Sequence, residues 1–110
     1  MKIAIPKELR DGETRVAMSP DMIKKLVAMG LEVMIETGAG NRAMLLDDLY
    51  RKAGALIGAN ANETYSGADI VLKVRPPIRP DQGPDELAMI KSGALLIGLL
   101  QLVQMYTMKI

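Results

Sequence analysis

Between KIAIP (residues 2 to 6) and LEVMIE (31 to 36) the chain carries a single capped helical segment, SPDMIKKLVAMG (19 to 30), and this order limits the fold more than any other feature. Two strands joined through a helix cannot form a hairpin; the crossover lays them side by side in the same direction. Ser19 is the N-cap, Pro20 takes the first helical position, where its missing N–H forfeits no bond, and Gly30 follows the end. Met22, Leu26 and Met29 share a stripe with Ile23 and Val27 while Lys24 and Lys25 face away, so the helix lies against a flat apolar surface.

The alternation continues. LLDDLYRKAGA (45 to 55) reads as a helix ended near Gly54, ALIGA (55 to 59) as a third strand and ANETYSGA (61 to 68) as a brief helix or turn. DIVLKV (69 to 74) is a fourth strand, stopped by Pro76 and Pro77, which lack the N–H that a ladder needs. GPDELAMIKSG (83 to 93) is a capped helix, and the unbroken apolar run ALLIGLL (94 to 100) is a fifth strand buried on both faces. The predicted class is α/β: a flavodoxin-like or Rossmann-like domain with about five mainly parallel strands flanked by helices.

A length of 110 residues suits one domain, which buries roughly two thirds of the surface its unfolded chain exposes. RPPIRP (75 to 80) is too short for a linker and reads as a stiff loop. Fourteen basic and thirteen acidic residues, interspersed, leave a net charge of +1, which is no nucleic-acid footprint. Neither cysteine nor histidine occurs, which removes disulfides and thiolate chemistry and argues against zinc or iron, so no metal site is expected. Lys7 and Glu8 interrupt the apolar stretch a secretory signal needs. The longest apolar run, GALLIGLLQLV (93 to 103), is half the ~20 residues of a spanning helix, so no direct membrane span is expected.

TGAGNRA (37 to 43) places Gly38, Gly40 and Ala43 in the G-x-G-x-x-A spacing of a dinucleotide-binding turn directly after a strand. Its context argues against that use. The apolar helical stripe starts only near Leu45, and the acidic partner about 20 residues on would be Glu63, in a turn rather than at a strand tip. A tight glycine turn is the expectation, with no cofactor-binding residue on this chain.

In an open parallel sheet, ligands bind where the carboxyl ends of strands meet. That edge gathers the 6 to 18 loop with Glu13 and Arg15, the fourth strand's end with Lys73 and Arg75, and Gln101 after the fifth. Lys73 and Arg75, two apart, point to the same side. Arg15, Lys73, Arg75 and Gln101 are therefore the cleft candidates, the three cations suiting a carboxylate or phosphate. Plainer readings stand beside them: Lys73 extends its ammonium to water along an apolar strand, and Arg15 pairs with Glu13 on the surface. Glu8, Asp47, Asp48, Asp85 and Glu86 read as solvated faces and helix N-terminal charges. Met22, Met29 and Met89 read as gap fillers in the core or at an interface. No residue is assigned a catalytic role.

Taken together, MKIAIPKE, GETRVAMSP, KKLVAMGLEVMIETGAG, the AGA of 53 to 55, ADIVLKV and IKSGALLIGLL resemble, in order, the N-terminal domain shared by alanine dehydrogenases and the α subunits of proton-translocating nicotinamide nucleotide transhydrogenases. RPPIRPDQGPDELAMIKSG is more similar to the transhydrogenase branch. The resemblance implies a domain over 1 to 101, with the NAD-binding Rossmann domain absent from this sequence, and LVQMYTMKI makes 102 to 110 an atypical tail. A truncation, a frameshift and a split gene remain open as origins of that tail.

Alanine dehydrogenases hold pyruvate or alanine with an arginine that Arg15 matches, a lysine whose position falls at Arg75, and a histidine whose position falls at Gln101. Amine oxidation needs a group that exchanges protons near neutrality, and neither Arg75 nor Gln101 does so. Hydride transfer between two nicotinamides needs positioning alone. The resemblance therefore implies a portion of a transhydrogenase α subunit, inactive alone, whose complete assembly uses NAD(H) and NADP(H). It also implies the remaining α polypeptide and a membrane β subunit as partners, a homodimeric full protein, and a cytoplasmic place peripheral to the inner membrane. The alternatives are an alanine dehydrogenase-like fragment and a non-catalytic interaction module.

Overall fold

The computed structural model describes residues 1–78, 81, 83, 85–98 and the backbone of 104–107. Six strands form one sheet in the order β3-β2-β1-β4-β5-β6. They are β1 (Lys2–Ile5), β2 (Glu32–Glu36), β3 (Leu56–Gly58), β4 (Ile70–Lys73), β5 (Leu95–Gly98) and β6 (Gln104–Thr107). The first five pair in parallel, with Ile3 opposite both Val33 and Ile70, and Val71 opposite Leu96. This order is the Rossmann-like one. β6 runs antiparallel to β5 and is additional to the five expected strands.

Helix α1 (Pro20–Ala28) starts as its sequence dictates: the Ser19 hydroxyl accepts the Met22 N–H at 3.4 Å, and Gly30, at φ +91°, turns the chain out of the last turn. Ile23 is buried and Leu26 and Val27 pack beside it, but Met22 and Met29 are 47% and 74% exposed, at the margin of the stripe rather than in the core. Met89 does pack partly buried against the second core cluster.

The other helices, α2 (Asp47–Lys52), α3 (Ala61–Tyr65) and α4 (Glu86–Met89), are shorter than the sequence pattern suggests. Leu46 is extended and holds α2 back to Asp47. Asp85 caps the Ala88 N–H at 3.2 Å, so α4 cannot begin earlier, and Ile90 is already extended as it drops into the core.

Alternating strand residues build a core on each face. Ile3, Ile5, Val33 and Ile35 meet Ile23 of α1 and Tyr50 of α2. Ala4, Val71 and Leu96 meet Tyr65 of α3 and Ile90. Gly58, ending β3, lies so close to Thr64 that no side chain fits between them, which lets α3 sit down on the sheet.

Candidate functional site

Strand order reverses between β1 and β4: the chain passes from β1 outward through β2 to β3, then returns to β4 on the other side. Connections that leave in opposite directions open a crevice at the carboxyl ends of the two central strands. Residues 6–18 after β1 and residues 74–78 after β4 meet there. Arg10 fastens them together, its Nε and Nη2 donating at 3.0 Å to the carbonyls of Pro76 and Pro77.

Beneath this rim lies a buried ionic cluster. Lys73 has the same parity as Val71 and so points to the face covered by α3 and α4. Its Nζ lies 3.2 Å from Glu8 Oε1 and 3.4 Å from Glu86 Oε2, and the three side chains are only 1%, 3% and 2% exposed. The lysine does not reach water along its strand; it stays inside because two carboxylates meet it there. Glu8 also accepts the N–H groups of Val74 (2.8 Å) and Arg75 (3.2 Å). Glu86 accepts the Ile78 N–H at 2.6 Å and the Tyr65 hydroxyl at 3.3 Å. Burial and then the charge of Glu86 push the Tyr65 hydroxyl's ionisation far above its ordinary range, so it remains a donor.

Glu8 and Glu86 thus correct the expectation of solvated carboxylates. Both occupy loop or helix-start positions where exposed charge is ordinary, but three backbone amides, Tyr65 and Lys73 replace the water they lose.

A second cluster is nearer the surface. Arg15 donates from Nε (2.9 Å) and Nη2 (2.8 Å) to the two oxygens of Glu13, and its backbone N–H adds a third bond at 2.8 Å. The Glu13 side chain is 4% exposed, whereas that of Arg15 is 59% exposed. Arg75, at 35%, brings Nη1 to 4.0 Å from the same carboxylate, and Arg42 Nη1 donates to the Glu13 carbonyl at 3.4 Å. The Arg15 hydrogen bonds outweigh burial and hold the Glu13 carboxyl down at about 2. Glu13 in turn raises the Arg15 guanidinium above its already high value.

Arg15 and Arg75 meet around Glu13 at this edge, whereas Lys73, expected to face the cleft with them, is buried between Glu8 and Glu86. The two arginines face outward around Glu13, and Lys73 sits below, joined to Arg75 through Glu8. Gln101 lies outside the described residues. Glu13 was legible as a partner of Arg15; the roles of Glu8, Glu86 and Tyr65 were not, because nothing in their local sequence marks a carboxylate or hydroxyl that meets a lysine from another strand.

Four amides of the TGAG turn and its continuation are bonded within the protein. The Gly38 N–H donates to Asp47 Oδ1 at 2.9 Å, and the amides of Ala39, Asn41 and Ala43 go to carbonyls of Glu36, Gly38 and Gly40. A short 3-10 helix (Asn41–Ala43) follows rather than an α-helix, and the Thr37 hydroxyl holds Asp47 at 2.6 Å. Among the described residues no group of three or more acidic side chains could hold a metal ion, and no helix is long and apolar enough to cross a membrane.

Comparison with known proteins gives the geometry a family. The model of the alanine dehydrogenase/PNT N-terminal domain matches residues 4–109. The first section of the NAD(P) transhydrogenase subunit alpha of Rhodospirillum rubrum is 53% identical over 97 residues, 88% of this chain and 25% of that protein. Alanine dehydrogenase of Methanococcus maripaludis is 36% identical over 102 residues, 93% of this chain and 26% of that protein. The crystal structure of transhydrogenase from Sinorhizobium meliloti superposes with a TM-score of 0.79 at 38% identity, covering 89% of this chain and 27% of that one. The chain spans about a quarter of the length of the curated relatives it matches. It belongs to the alanine dehydrogenase/PNT N-terminal domain family.

Proposed function

We propose that this chain is the first domain of a transhydrogenase α subunit and forms one wall of the cleft in which hydride passes between NAD(H) and NADP(H). The observation that carries this reading is the identity of 53% to a transhydrogenase α polypeptide, against 36% to an alanine dehydrogenase. The chemistry of the rim agrees with it. These 110 residues contain no histidine, the side chain usually given proton exchange near neutrality, so the rim is suited to positioning charge.

On this reading Arg15 and Arg75 face the cleft, Lys73 supports them from below, and Gln101 completes the candidate set. Nucleotides are held by the remainder of the α subunit, and this polypeptide alone neither binds NAD appreciably nor turns over. The partners are that remainder, a second α copy and a membrane β subunit, which places the assembly on the cytoplasmic side of the inner membrane.

A chimera tests this. The matching 97-residue stretch of the Rhodospirillum rubrum relative is replaced by that of this chain, and hydride transfer from NADH to an NADP analogue is measured beside alanine-dependent NAD reduction. Retained transhydrogenation without alanine oxidation is expected. Alanine oxidation without transhydrogenation contradicts the reading.

A further inference from the structure

We propose that Glu8 is the positioning residue of this rim: its buried carboxylate grips the backbone just beyond β4 and thereby sets where Arg75 stands relative to Glu13 and Arg15. This deepens the reading of the rim as a cleft wall and rests on it.

Arg75 needs such a device. Its guanidinium stands 4.0 Å from Glu13, beyond hydrogen-bond length, so that contact is too loose to fix a long side chain. It also lies past the last ladder residue, Lys73, where strand pairing no longer holds the backbone. The Val74 and Arg75 amides instead donate to the two oxygens of Glu8 at 2.8 and 3.2 Å. Those donors use both oxygens, so the carboxylate is fixed in rotation as well as in place. Lys73 secures it from the side and ties it to Glu86, which holds the Ile78 N–H. One carboxylate from the loop after β1 thus organises the segment after β4, and the crevice between the two strands has a shared backbone frame. Arg15 is held differently, its position following from its own fork on Glu13.

The test begins with the unaltered chain. Val74 and Arg75 amides, although outside the ladder, are expected to exchange with solvent within about tenfold of the Val71 and Leu72 amides; exchange at the rate of an open loop overturns the proposal. In Glu8→Gln, which keeps the volume but turns one acceptor into a donor, the nuclear Overhauser contacts between the Arg75 side chain and Glu13 are expected to be lost and the Arg75 side-chain resonances to move to those of an unrestrained arginine. The Arg51 resonance, from an exposed pair with Asp48 on α2, is expected to stay in place. An Arg75 signal that does not move, or an Arg51 signal that moves as far, overturns the proposal, because the first denies positioning and the second reports general loosening. These readouts involve no nucleotide, so their failure is distinct from failure of the transhydrogenase reading, which the chimera reports.

Discussion

Lys73 Nζ lies 3.2 Å from Glu8 Oε1, a buried contact between residues 65 positions apart that joins the loop after the first strand to the end of the fourth. Both side chains are almost wholly out of water, so removing one partner strands the other. Lys73→Met leaves Glu8 and Glu86 facing each other without their cation and is expected to destabilise the domain by about 3–5 kcal/mol. Urea unfolding measures it. A cycle with Glu8→Gln should show a coupling of about 0.5–3 kcal/mol between the two positions.

Glu13 gives stability a dependence on acid. Its carboxyl sits at about 2 in the fold against 4.5 when unperturbed, so the folded state favours the ionised form. The stabilisation is present above the unfolded value and is lost as pH falls from about 4.5 toward 2. Arg15→Gln, which removes the leading cause of the shift, should flatten that portion of the profile. Urea midpoints over the acid range for both proteins check this.

The sheet and its parallel order were legible because they rest on local signals. Ser19, Pro20 and Gly30 mark one helix, and Pro76 and Pro77 stop the fourth strand. Placing Arg15 and Arg75 at the carboxyl edge of the sheet needed only the parallel class. What the sequence could not reveal was which charges turn inward. Glu86 lies in a helix start where an exposed acid is ordinary, and only the packing of α4 beside β4 brings it to Lys73. Met22 and Met29 lie outside the core although they share its helical stripe, since helical periodicity gives an angle but not the width of the surface that covers it. The sixth strand follows from pairing with β5, a non-local contact.

Gly40 shapes the turn between β2 and α2. A Cβ there would press on the Leu45 carbonyl and come within 2.9 Å of the Tyr50 ring. Gly40→Ala should therefore lower stability by about 1–3 kcal/mol through overpacking. Thermal unfolding checks it; an unchanged midpoint would mean that the turn relaxes freely.

Tyr50 is fully buried, and its hydroxyl donates to the Met18 carbonyl at 2.8 Å, linking α2 to the segment before α1. Burial pushes its ionisation up to about 12. Tyr50→Phe keeps the ring and loses the bond, for an expected cost of about 1 kcal/mol. Absorbance titration should show ionisation of this tyrosine displaced above its ordinary value of 10.0, disappearing in the variant.

The most direct measurement follows the side-chain carboxyl carbon of Glu13 by NMR as the folded protein is acidified. A midpoint at about 2 is predicted, because the Arg15 fork and Arg75 surround that carboxylate. A midpoint near 4.5 would mean that the Arg15 fork does not hold it and would contradict the rim described here.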